Sequence, residues 1–272
     1  MNKFYWMVIG LLLGLVNLRA EIKLPALVSD NMVLQQATKV RLWGNATPNS
    51  SLKVRSSWDN TEYTAQVNDQ GRWEIWVQTP SASFEKQQLT LKNGQDKIVL
   101  HDLLIGEVWF GSGQSNMEMP VAGWGKVMNY EREVAEANYP FIRLLQVKKT
   151  VSLTPQDNVE MNGGGWQECS PSSVPEFSSV AYFYARQLWK ELNVPVGVID
   201  CTWGGTPAEA WTSFGTLQQV MGFQEETAKM KRLDFNKEAL SAVYQQEMKD
   251  WREQFIIRDA GFTQGTPQWI SA

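Results

Sequence analysis

Ser115 stands in the run Gly111-Ser112-Gly113-Gln114-Ser115-Asn116-Met117, directly after the apolar stretch Leu104 to Phe110. At a corner where a strand turns into a helix, a serine hydroxyl projects into solvent while its own amide points toward an incoming oxygen. That is the geometry an acyl-transfer nucleophile needs. The same residues also describe a glycine-serine turn that merely reverses the chain, and spacing alone leaves the two readings level. Met117 occupies the place of the last glycine in a Gly-x-Ser-x-Gly elbow, so this is not the lipase motif. Gly111 and Gly113 lack the third glycine of a dinucleotide loop. A second glycine-rich polar turn, Gly204-Gly205-Thr206-Pro207, follows the apolar run Val196 to Cys201.

The chain holds one histidine, His101, so chemistry that needs an imidazole must use this one or obtain it elsewhere. His101 precedes the strand that Ser115 follows, and seven rises of ~3.3 Å put the ends of a Leu104–Gly111 strand about 23 Å apart. A base must lie within about 3 Å of the serine proton. His101 therefore fails on geometry and reads as a strand-edge or domain-junction residue. Cys169 and Cys201 are too few for a metal-cluster scaffold or a disulfide framework. An exported chain could pair them, whereas Cys201 alone reads equally well as a small buried strand thiol.

The elements that position these residues divide the sequence in three. Residues 1–20 carry Lys3, no acid, the apolar block Phe4 to Val16 and then Leu18-Arg19-Ala20, the layout of a cleaved secretory signal. About 13 apolar residues fall short of the ~20 that span a bilayer, so no stable membrane insertion is expected. The mature protein is expected in the periplasm or outside the cell. Residues 21–103 show short strands at Val40–Gly44, Ser51–Arg55, Thr64–Val67, Trp73–Val77, Gln88–Leu91 and Lys97–Leu100, separated by turn residues, which predicts a β-sandwich accessory domain. Residues 104–272 begin an α/β pattern. Strands are expected at 104–110, 141–147 and 196–201, helices at 129–137 and 178–192, and the sheet is expected to be parallel, with chemistry at the C-terminal strand ends. An uncovered sheet edge is expected near Val196–Cys201, which would seek a partner strand. From 224 to 258 the spacing predicts a long amphipathic helix packed by one face.

With 272 residues, 43% hydrophobic and 20% charged, the chain has ample core material and is not a disordered polymer. A net charge of −4 leaves no basic footprint for nucleic acid. Trp109, Trp124, Trp203 and Trp211 flank the two turns, and an indole face can cover a pyranose. Trp203 and Trp211 are the stacking candidates, with burial in the core the commoner fate of such residues. Trp43, Trp73 and Trp76 read as core and surface filler of the β-domain.

Ile105-Gly106-Glu107-Val108-Trp109 leading into Gly113-Gln114-Ser115-Asn116-Met117-Glu118-Met119 resembles the first block of the sialate O-acetylesterase family, within the SGNH hydrolases. Asp200-Cys201-Thr202-Trp203-Gly204-Gly205-Thr206-Pro207-Ala208-Glu209-Ala210-Trp211 is similar to its second block. The resemblance implies an α/β three-layer, flavodoxin-like domain after the β-sandwich. It implies Ser115 as acyl-accepting nucleophile, with oxyanion donors from the Ser115 amide and from Gly205, Gly204 being second choice. It implies O-acetylated sugars or glycans as substrates, an acetyl-enzyme intermediate, and neither metal nor organic cofactor. The family's third block, with an oxyanion-hole asparagine, and its Asp-x-x-His block, with the general base, do not occur here. The sequence therefore reads as the N-terminal part of an exported carbohydrate O-acetylesterase, weak or inactive alone. The alternatives are a non-catalytic carbohydrate-binding protein with an esterase-like fold, and a split enzyme completed by a second polypeptide.

Overall fold

Alternation builds the first part of the chain. In Ser51–Ser56 the residues Leu52, Val54 and Ser56 are buried and their neighbours exposed, and in Arg72–Gln78 the same holds for Trp73, Ile75 and Val77. That period of two is what a sheet with one wet face requires. The structure, a computed structural model, describes residues 21–152, 154–231 and 237–258. The signal expected over residues 1–20 lies outside the described residues.

The strands are β1 (Val33–Gln35), β2 (Lys39–Asn45), β3 (Ser51–Ser56), β4 (Glu62–Gln66), β5 (Arg72–Gln78), β6 (Ser83–Asn93), β7 (Asp96–Gly113), β8 (Tyr139–Val147), β9 (Met161–Cys169) and β10 (Val196–Thr202). The helices are α1 (Ser115–Glu118), α2 (Tyr130–Ala135), α3 (Ser179–Leu192), α4 (Phe214–Leu217), α5 (Gln224–Met230) and α6 (Lys237–Arg258). β2 and β5 form an antiparallel pair, while the larger sheet has eight strands, in the order β4-β3-β6-β7-β10-β8-β9 with β1 beside β7. Leu42 and Ile75 of the pair share one core with Leu52, Val54, Leu89 and Leu91 of the larger sheet.

β7 joins the two patterns seen in the sequence. It pairs antiparallel with β6 up to Ile105 and parallel with β10 from Glu107 to Gly113. The boundary expected between residues 103 and 104 falls inside this strand. β7, β10 and β8 are parallel, as the spacing predicted, and β9 closes the outer side antiparallel to β8. β10 is therefore central rather than an open edge, which corrects the expectation for Val196–Cys201. Among the described residues an unpaired edge lies on β7, where Trp109–Gly113 pair only with β10, and another on β9, which pairs only with β8.

Parallel strands need cover on both faces. Ile142 and Leu144 of β8 and Val196 and Val198 of β10 pack with Ala181, Tyr182 and Ala185 of α3. The opposite face, with Leu145 and Ile199, packs into the β-domain core. Among the described residues that face is thus covered by the strands carrying Leu42, Leu52 and Ile75 and not by a second layer of helices.

Contact density divides the chain into two units, one comprising the residues to Thr150 with Asp157–Thr206, the other Val151–Gln156 with the residues from Pro207. In the second unit, the expected helix over 224–258 is α5 and α6, with residues 232–236 between them outside the described set. Val243, Tyr244 and Trp251 of α6, three of the residues expected on its packed face, are exposed. Among the described residues no helix is long and apolar enough to cross a membrane.

Candidate active site

The end of β7 turns sharply into α1. Gly113 takes φ +139, a value that favours glycine, and the Met117 and Glu118 amides both donate to the Gln114 carbonyl at 2.9 Å. Ser115 is thereby the first residue of α1, where backbone amides have no partner within the helix. It is half-buried, and its hydroxyl lies 3.4 Å from Gln114 Oε1.

Helix α3 fixes that corner from below. Ser178 caps α3 by accepting from the Ala181 amide at 3.2 Å, and its hydroxyl donates to the Met117 carbonyl at 2.5 Å. The Ser179 amide donates to the Met119 carbonyl at 2.8 Å. At its other end α3 stops at Asn193 in the left-handed region, just before Pro195.

The second turn arrives on the neighbouring strand. β10 runs in register with β7 to Thr202 opposite Gly113, and the Trp203 amide then donates to the Gly113 carbonyl at 2.9 Å. A Cβ on Gly204 would stand 3.5 Å from Ser115 Cα, ordinary van der Waals contact, and 2.5 Å from Glu118 Oε2, so the two turns lie side by side and a side chain at Gly204 would displace the Glu118 carboxylate. The Gly204 amide donates to the Glu118 carboxylate, whose other oxygen is ion-paired with Lys149. Gly205 adopts φ +76, its Cβ position is open, and its amide makes no hydrogen bond among the described residues. Of the two glycines, Gly204 is thus committed and Gly205 is available.

Beneath the turn, Asp200 is 1% exposed. Thr202 Oγ1 and Gln146 Nε2 donate to its carboxylate at 2.7 and 3.0 Å. Burial pushes its pKa above the usual carboxylate range, which those hydrogen bonds partly offset.

Trp203 is half-buried, with Lys149 Nζ 6.0 Å from its ring centre. Trp211 ends a short 3-10 helix, Ala208–Trp211, in the second unit and is exposed. Trp109 meets Tyr184 edge-on at 5.1 Å, and Trp124 is exposed. His101 lies on the β-domain half of β7, its amide donating to Asp30 at 2.7 Å. The strand from Leu103 to Gly113 covers about 33 Å at ~3.3 Å per residue, so His101 is far from Ser115. Cys169 and Cys201 are both free thiols, which decides the open alternative against a disulfide. Burial pushes the Cys169 thiol up to about 12 and raises that of Cys201.

The sequence reading did not single out Glu118, Lys149, Asp200 or Ser178. Glu118 and Asp200 sit within the two recognised blocks and Ser178 before a legible helix, so each left a signal. Lys149 left none.

In sequence the chain is similar to known esterases. More particularly, it is similar to the sialate O-acetylesterases. It is 28% identical over 231 residues to that of Pongo abelii and 27% identical over 231 residues to that of Homo sapiens, in both cases covering 78% of this chain and 44% of the relative. A solved carbohydrate acetylesterase from Xanthomonas citri superposes with a TM-score of 0.67 at 31% identity, covering 72% of this chain and 44% of that one. No family model matches. The chain spans about 44% of the length of the curated relatives it matches.

Proposed function

We propose that the chain is the nucleophile-bearing part of an exported carbohydrate O-acetylesterase, with a signal over residues 1–20, an accessory β-sandwich and an SGNH-type α/β domain. The observation that carries this reading is the close approach of Gly204 to Ser115, which brings two glycine turns from separate strands to one serine. Ser115 Oγ attacks the acetyl carbonyl, and the oxygen that gains the charge accepts from the amides of Ser115 and Gly205. Each well-aimed donor of this kind contributes roughly 3 kcal/mol in the transition state. The sugar oxygen leaves with a proton, and water then attacks the acetyl-Ser115 carbonyl, releasing acetate and regenerating the hydroxyl. Trp203 offers a half-buried indole beside this corner for the sugar ring.

Both proton transfers need a base, and His101, the chain's one histidine, is on the wrong half of β7. Loss of a triad member costs on the order of 10⁴ to 10⁶ in rate. The 272 residues alone are therefore expected to turn over acetyl esters weakly or not at all. Incubation with a fluorophosphonate followed by peptide mapping tests the assignment. Slow labelling confined to Ser115 is expected, and labelling only at another serine, or at none, would overturn it. Ordinary turnover of an acetylated sugar by this chain would instead refute its need for a further base. A complementing polypeptide loses its original motivation, since β10 is paired on both sides.

A further inference from the structure

A cleft of about 680 Å³ that does not include Ser115 opens on the β-domain. That volume falls in the range of small-ligand sites, roughly 300 to 1,000 Å³. Its floor is the outer face of the β2–β5 pair. Arg41 and Trp43 are two apart on β2 and so share a face, and Trp43 lies directly opposite Glu74 of β5. A Cβ on Gly44 would collide with the Lys23 carbonyl oxygen and stand 3.1 Å from the Trp73 indole, so glycine lets the segment before β1 pack onto β2 and form a wall of the cleft. Trp73 lines the cleft from the core side, and its Nε1 is a buried donor with no acceptor.

The polar groups of the cleft are fixed. Trp43 Nε1 donates to the Asp157 carbonyl at 3.0 Å, and the Arg41 guanidinium stands over the Trp43 ring at 5.5 Å. Arg41 gives two hydrogen bonds to Glu74, at 3.0 and 2.7 Å, and Arg72 pairs with the Asp157 carboxylate. Pairs this exposed contribute only about 0 to 1 kcal/mol to stability. What they do is hold guanidinium groups in place, each with donors to spare, since arginine carries five. Asn68 Oδ1 accepts from the Gln70 and Arg72 amides at 3.0 and 2.8 Å, and Asn158 Oδ1 accepts from the Ala26 and Val159 amides at 2.8 and 2.9 Å. Both asparagines line the cleft with their carboxamide planes fixed through Oδ1.

An aromatic floor ringed by fixed planar donors suits a molecule with an apolar ring face and a rim of oxygen acceptors. We propose that this cleft binds a pyranose segment of an oligosaccharide, independently of the chemistry at Ser115. It would hold a glycan on the β-domain whether or not the serine corner is complete.

Calorimetry and NMR titration of the full chain with xylotetraose (neutral) and trigalacturonate (acidic) test it. Binding of either supports the proposal, and which one binds shows whether neutral or carboxylate-bearing rings are preferred. Trp43→Ala is expected to weaken binding at least about tenfold, with Arg41→Met, an exposed position, giving a similar loss if Trp43→Ala does not fold. Ser115→Ala is expected to leave binding unchanged, which separates this site from the esterase reading. Absence of binding to both sugars at about 10 mM, or binding that survives both cleft substitutions, would overturn it.

Discussion

The Ser115 corner and the Trp43 cleft are made from different materials. At the corner the groups aimed outward are mainly backbone: the amides of Ser115 and Gly205, presented by two strand ends that lie side by side. In the cleft they are all side chains, drawn from β2, β5, the segment before β1 and the residues near Asp157. A site made of backbone must be written as a contiguous run, because consecutive φ values fix it. A site made of side chains has only to collect residues that the sheet register happens to bring together.

Substitutions probe this contrast in descending order. Ser115→Ala should abolish fluorophosphonate labelling, measured by mass spectrometry of the intact protein, with little change in melting temperature. Glu118→Ala removes a charge-assisted hydrogen bond to the Gly204 amide and should slow labelling about tenfold, in line with roughly 1.5 to 3 kcal/mol for such bonds. Unchanged labelling would show that the turn holds its shape without Glu118. Gly205→Ala places a side chain at φ +76, a strain of about 1 kcal/mol, with nothing to collide with. A loss of labelling well under tenfold is expected, and a larger loss would mean the amide has moved. Arg41→Met should shift unfolding by at most about 1 kcal/mol in urea titrations, since the pair it breaks is exposed.

Asp200 adds a pH test at the corner. Its pKa is raised in the folded state by burial, so the native protein binds more protons than the unfolded chain between the ordinary aspartate value and the raised one. Stability should therefore fall as pH rises through that window, relative to Asp200→Asn. Parallel stability curves for the two proteins across acid to neutral pH would remove Asp200 as a buried titrating group.

The same contrast explains what could be read in advance. Ser115, Gly204 and Gly205 are legible because their turns are contiguous and follow apolar strands, and α3 is legible from Ser178 to Asn193 through its spacing and its stop before Pro195. The β-domain strands follow from alternation. The strand order does not, because whether β10 sits centrally or at an edge depends on which strands pair, and β9, with its three consecutive glycines, gives little periodic signal. Lys149 and the cleft residues were out of reach for that reason too. Trp43 and Trp73 read as core and surface filler, and only the folded chain shows that both line one cleft.

β7 is one strand serving two sheets' worth of pairing, and its marked irregularity, Asp102 at φ +56 with a register shift against β6 between Leu100 and Leu103, lies before the stretch that carries it from one set of partners to the other. A single-residue insertion or deletion between Leu103 and Val108 would reverse which side chains face inward on one side of it. A change of length is therefore borne more easily in the turns at either end of β7 than between Leu103 and Val108, where it would put the core on one side out of phase with the serine corner on the other.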